Sequence, residues 1–214
     1  MEDHQNQFKK GTTTVGITCK DCVVIGADRR ASMGYLIANK NMDKVIRVTD
    51  KIMMSIAGSA ADGQKLAKYL KAEMELYELS VGIPPSLTVA SNLMSNIVFA
   101  RAKSFIPYLI QLIIAGEDNN GEYALYSLDM GGTNIKEEEY TSTGSGSPMA
   151  FGVLEDNYKK GMPEKDGVKL VARALDAAMK RDMATGNGMT IYVINKDGTR
   201  RVEQKEIDEA IKGK

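Results

Sequence analysis

The hydrophobic residues of this chain repeat at the spacing of a strand, then at that of a helix, then back again. The order of these changes leaves few folds open. Two alternating runs, 12–19 and 23–28, flank Lys20-Asp21 and predict a β-hairpin. Further strand signal covers 36–38, 44–48 and 52–57, and Gly58 closes that stretch. Over 60–79, Ala67, Leu70, Met74 and Tyr77 recur at spacings of three and four, which predicts an amphipathic helix. Pro84-Pro85-Ser86 supplies a break and an N-cap. Val89, Leu93, Ile97 and Ala100 then form a second helical stripe, ended by Pro107. Strands follow at 109–115, 123–128 and 133–141, joined by Asn119-Asn120-Gly121 and Gly131-Gly132. A third helix starts at Ser147-Pro148 and runs to about Tyr158. A fourth spans 164–183, with Val168, Val171, Leu175 and Ala178 on one face. A hairpin of 189–194 and 201–204 turns at Asp197-Gly198, and a short charged helix closes the chain. Strand-to-strand steps are hairpin-like, so the sheets should be mainly antiparallel. The expected class is α+β: two such sheets covered by helix pairs in one domain, 12–214, after a polar arm, 1–11, that lacks any period.

The rare residues limit the chemistry. Of 214 residues one is histidine, His4 beside the N-terminus, so the ordinary base of Ser-His-Asp and Cys-His catalysis is missing, as is the usual zinc ligand. Two cysteines cannot build a disulfide framework, and thirteen methionines suit a reducing interior. Lys and Arg total 28 and Asp and Glu 28, so no basic surplus points to nucleic acid. A chain without net charge lacks colloidal repulsion, which suits a protein that lives in assemblies. Residues 1–10 hold no apolar run of the signal-peptide kind. The most apolar stretch, 105–116, is too short to span a bilayer. A cytoplasmic protein without membrane or nucleic-acid partner is expected.

Cys19 and Cys22 have the spacing of a redox motif, but such a motif lies between strand and helix, and these flank a strand turn. They read as small buried residues. Lys44 shares a strand face with Ile46 and Val48. It is either buried, with a depressed pKa and need of a partner, or a strand-end lysine that reaches solvent. Asp28 ends a strand on the face of Val24 and Gly26, with Arg29 and Arg30 at hand to satisfy it at the surface. Asp182 continues the stripe of Val171, Leu175 and Ala178 in a last helical turn, where the dipole disfavours an anion. It needs compensating donors unless the end frays at Thr185-Gly186. Gly11-Thr12-Thr13-Thr14-Val15-Gly16 is by pattern only a β-prone run. Yet a hydroxyl nucleophile without a histidine needs another proton acceptor, and a threonine's own N-terminal amine is one. With a pKa of about 7.7–8.0, a useful fraction of such an amine is neutral at pH 7. A cut after the arm, at Gly11, would create it.

The segments that carry a family resemblance are Lys10-Gly11-Thr12-Thr13-Thr14-Val15-Gly16, Ala27-Asp28-Arg29-Arg30-Ala31-Ser32, Asp43-Lys44, Ile56-Ala57-Gly58-Ser59-Ala60, Thr143-Gly144-Ser145-Gly146-Ser147 and Lys180-Arg181-Asp182. In this order they resemble archaeal-type β-subunits of the proteasome core particle, from Gly11 almost to the C-terminus. The resemblance implies an N-terminal nucleophile hydrolase with a four-layer αββα sandwich. It implies a propeptide, 1–11, removed autocatalytically between Gly11 and Thr12. Thr12 would then be the nucleophile and its amine the proton acceptor. Lys44 would lower the nucleophile's pKa, Asp28 would pair with that lysine, and the Gly58 N–H would serve the oxyanion. Ser145, Asp182 and Thr185 would support the amine; Thr185 stands where the family more usually has serine.

By matched position, substrate backbone would pair near Ser32, Gly58 and Ala60. A side-chain pocket of Ala31, Met42, Ile46, Ile56, Ala60 and Gln64 has no charged lining, which implies cleavage after apolar residues. No metal or cofactor is called for. The implied partners are other β-subunits in a seven-membered ring, α-subunit rings, an ATP-dependent unfoldase docking on those, and unfolded polypeptide as substrate. A catalytically silent β-ring subunit, or another self-processing amidohydrolase, is the alternative.

Overall fold

A computed structural model describes residues 11–212. The N-terminal half holds β1 (Thr13–Thr18), β2 (Cys22–Asp28), β3 (Ala31–Met33), β4 (Leu36–Asn39), β5 (Val45–Thr49), β6 (Ile52–Gly58), α1 (Ala60–Val81) and α2 (Leu87–Ala102). Then come β7 (Ile110–Glu117), β8 (Tyr123–Leu128), β9 (Asn134–Glu137) and β10 (Tyr140–Gly144). The chain ends with α3 (Ser147–Asn157), α4 (Glu164–Arg181), β11 (Met189–Asn195), β12 (Gly198–Arg201) and α5 (Gln204–Lys212). One five-stranded sheet runs β10-β1-β2-β11-β12, the other β5-β6-β7-β8-β9, and β3-β4 is a separate hairpin. Every strand pairing is antiparallel.

Side-chain alternation divides the interior into three apolar layers. Val15, Ile17, Val24, Ile191 and Val193 face α3 and α4, where they meet Leu154, Val168, Val171 and Leu175. Ile52, Met54, Leu112 and Ile114 face α1 and α2, meeting Leu66, Leu70, Met94 and Val98. The odd-numbered partners of those strands, Val23, Ile25, Met53, Ile113 and Leu125, fill the space between the sheets. Period two thus commits each strand to two cores, and the result is the expected αββα sandwich. None of the described helices is long and apolar enough to cross a membrane.

The structure corrects several details. The run 133–141 is two strands: β9 pairs with β8 in one sheet and β10 with β1 in the other. Between them Glu138 and Glu139 are both exposed, while their carbonyls accept the Thr18 hydroxyl and Thr18 N–H. A continuous strand would have turned one of these carboxylates inward. The buried face of α2 is Leu87, Ala90, Ser91, Met94 and Val98, one residue round from the predicted stripe. Val89, Leu93 and Ile97 pack at its flank, and Ala100 is exposed. Small Ala90 and Ser91 let the helix lie close to the sheet, so size rather than apolarity sets the facing side. The last hairpin pairs Gly198–Arg201, not 201–204, with β11, and β3 is an unforeseen short strand.

Candidate active site

The β1–β2 register pairs Thr14 with Ala27, which sets Thr13 opposite Asp28 at the open end of the first sheet. The Thr13 N–H donates to Asp28 Oδ1 at 3.0 Å. Lys44 arrives from the other sheet, just before β5, its carbonyl tied to the Ile56 N–H at 2.9 Å. Its ammonium meets the same Oδ1 at 2.7 Å, and both residues are buried, at 4% and 1% exposure. Burial pushes the Lys44 pKa below the ordinary lysine value, and the Asp28 carboxylate opposes that push without cancelling it. Asp28 Oδ2 accepts the N–H groups of Arg30 at 3.0 Å and Gly186 at 2.9 Å. The backbone of Arg30, not its guanidinium, thus satisfies the acid. The guanidinium instead binds Asn187 Oδ1 at 2.8 Å and the Met183 carbonyl at 2.6 Å, clamping the loop after α4.

Asp182 lies outside α4, as its C-cap, with an extended backbone (φ −91°, ψ 114°). The helix closes at Arg181, two residues earlier than the predicted 183, so the acid is not part of its last turn. The carboxylate receives the Ser145 hydroxyl at 2.5 Å, the Thr185 hydroxyl at 2.6 Å and the Ala184 N–H at 3.1 Å. These are the compensating donors its position demanded. Ser145 Oγ also accepts the Thr12 N–H at 3.2 Å, and Thr185 exchanges a 2.8 Å bond with the Thr13 hydroxyl. The Thr12 hydroxyl donates to the Gly11 carbonyl at 2.7 Å.

Thr12, Lys44 and Gly58 line one small pocket of about 30 Å³, with Gly11, Ala31, Ser32, Met42, Asp43, Ile56 and Ala60. Asp43 and Lys44 thus give the pocket a charged part that the expected uncharged lining lacked. Gly58 has φ +101°, and a Cβ there would lie 2.3 Å from the Leu109 carbonyl oxygen, so no other residue fits. Ile46 packs against the α1–α2 core and Gln64 is exposed on α1; neither lines this pocket. Two roomier clefts exist. One, about 1090 Å³, includes Cys19, whose thiol pKa is raised by its hydrogen bond to Cys22 and by burial, so it is no thiolate nucleophile. The other, about 640 Å³, lies between the β5–β6 turn and the α1–α2 junction and holds no nucleophile beside a buried base. Among the described residues no cluster of His, Cys, Asp and Glu is placed to hold a metal ion.

A family model described as "Proteasome subunit" matches residues 8–194. The chain is 45% identical to the proteasome subunit beta of Methanocella paludicola over 211 residues, 99% of this chain and 98% of that one. It is 46% identical to that of Methanococcus aeolicus over 209 residues, 97% of this chain and 94% of the relative. The chain belongs to the proteasome subunit family. Within this proteasome subunit, Thr13 and the loop-clamping guanidinium of Arg30 contribute beyond the roles expected from the sequence. Thr13 was readable: a hairpin pairing Cys19 with Cys22 puts Thr13 opposite Asp28 by simple counting. Arg30 was not, since its partners lie more than 150 residues away in sequence with no local signal.

Proposed function

We propose that the chain is a threonine endopeptidase subunit of a proteasome core particle, made as a precursor that cuts itself between Gly11 and Thr12. One observation carries this reading. The Thr12 hydroxyl touches the Gly11 carbonyl, in a pocket it shares with the buried Lys44 ammonium. Thr12 Oγ attacks the Gly11 carbonyl carbon, the C–N bond breaks, and the hydroxyl proton passes to the freed amine. Water then hydrolyses the resulting ester, leaving a Gly11 carboxylate and an N-terminal Thr12. In the mature subunit that amine takes the hydroxyl proton as Thr12 Oγ attacks a substrate carbonyl, and an acyl-ester forms and is hydrolysed.

Each neighbour has a part. The Lys44–Asp28 pair keeps a positive charge beside the developing alkoxide. The Gly58 N–H serves the oxyanion, a contribution of roughly 2.7–4 kcal/mol at comparable acyl-transfer sites. Ser145, Asp182 and Thr185 hold the amine. Asp43 shares the pocket wall, and the remaining lining of Ala31, Met42, Ile56 and Ala60 is apolar and favours cleavage after apolar residues; the mechanism uses no metal or cofactor. Sharing a family with proteasome β-subunits supports assembly with β- and α-type rings in the cytoplasm, an unfoldase feeding unfolded polypeptide to the site. Intact mass and a fluorogenic peptide panel test the reading together. The assembled chain should lose residues 1–11 and cut after Leu, Phe or Tyr faster than after Arg or Asp, and Thr12→Ala should abolish both activities. Activity surviving in Thr12→Ala would refute it.

A further inference from the structure

The bond to be cut is held before it is cut. Gly11 is buried, and its N–H donates to the Ser32 hydroxyl at 3.1 Å. Ser32 is itself 8% exposed and sits in β3, on the hairpin that belongs to neither large sheet. On its other flank Gly11 lies against the loop after α4. A Cβ there would be 1.8 Å from Ala184 Cβ and 2.9 Å from Ser145 Oγ. The residue that carries the scissile carbonyl is therefore fixed between a hydroxyl and a wall, while its oxygen receives the Thr12 hydroxyl at 2.7 Å. Turning Gly11 about its own backbone bonds would swing that carbonyl away from Thr12, and the Ser32 contact opposes the turn.

We propose that Ser32 is a positioning residue for self-cleavage: its hydroxyl holds the Gly11 N–H and so aims the scissile carbonyl at Thr12 Oγ. This rests on Thr12 being the nucleophile. The bond that breaks is Gly11 C–Thr12 N and the bond that forms is Gly11 C–Thr12 Oγ, the proton moving from that oxygen to that nitrogen. Ser32 gives and takes no proton in the exchange. Once the arm has left, its hydroxyl has lost this partner, and an incoming peptide meets the backbone of the same segment instead. Loss of the hydroxyl should therefore weigh on the first reaction more than on the second. A net hydrogen bond of this kind corresponds to a factor of about three to ten in rate.

The test uses the full-length chain assembled with its partner subunits. Intact mass follows loss of residues 1–11 with time, and fluorogenic peptide turnover is measured per processed chain. Ser32→Ala is expected to slow processing about three- to tenfold and peptide turnover by a smaller factor. Ser32→Thr, which keeps the hydroxyl, is expected to restore processing. Processing at the unaltered rate in Ser32→Ala, equal slowing of both reactions, failure of Ser32→Thr to rescue, or failure of Ser32→Ala to assemble overturns the proposal. Thr12→Ala is run alongside. If it is still cut after Gly11, the nucleophile assignment itself falls; if it stays whole while Ser32→Ala processes normally, only the role of Ser32 does.

Discussion

At the scale of single residues, the site is built from groups that have no slack. Gly11 has room for a hydrogen and nothing more, since an added Cβ would overlap Ala184. Gly11→Ala should therefore shift the scissile carbonyl and slow self-cleavage at least about tenfold. Ala184→Gly in the same chain should recover part of the rate, with the arm's loss read by mass. If Gly11→Ala processes normally, the overlap is relieved by movement and the packing argument fails. Lys44, Asp28 and Asp182 were legible in the sequence because each interrupts an apolar face that its neighbours define. The Ser32 hydroxyl and the wall at Ala184 were not. Both depend on contacts between segments 21 and 173 residues apart, and neither residue type breaks any local pattern.

Elements were legible where one period ran undisturbed. Most strands stood out as short β-prone runs between turn residues, and α4 shows its stripe plainly, so their existence followed from the sequence. The pairings of β1 with β10 and β2 with β11 did not, because strands buried on both faces carry no polar alternation to mark a partner. The reading failed where two faces competed. On α2 the larger side chains flank the contact while Ala90 and Ser91 make it, and between β9 and β10 the chain changes sheets without a glycine or proline to mark the step. Glycine also sets how closely α4 lies on β2. A Cβ at Gly26 would stand 2.9 Å from Val171 Cγ1 and 3.1 Å from both Ile191 Cγ1 and Leu175 Cδ1. Gly26→Val should force the helix off the sheet and cost about 1–3 kcal/mol, read as a lower urea midpoint at unchanged slope. An unchanged midpoint would mean the layers are looser than their contacts imply.

Across the whole molecule, the Lys44–Asp28 pair is a buried charged bridge between two sheets whose facing sides are mainly apolar. Other polar ties between them are the Gly144 N–H on the Gln111 side chain and the Thr199 hydroxyl on the Asp50 carbonyl. Lys44→Ala leaves the Asp28 carboxylate buried without its cation, so a loss of about 3–5 kcal/mol is expected in chemical denaturation. The pH dependence has a definite sign. Burial holds the folded pKa of Lys44 below its ordinary 10.5, so between the two values the unfolded chain binds more protons. Stability gained through Lys44 therefore rises with pH across that alkaline window, and the difference between parent and Lys44→Ala should grow accordingly. A difference that shrinks there would mean the ammonium is favoured, not disfavoured, by folding.

The same carboxylate collects donors from Thr13, Arg30, Lys44 and, far along the chain, Gly186. A polypeptide still emerging from the ribosome would own its threonine long before it owned the loop that completes the acid's shell. For the proposed peptidase, synthesis order then works as a safety catch: the threonine is made first, and the loop of Gly186 that completes the acid's shell is made late.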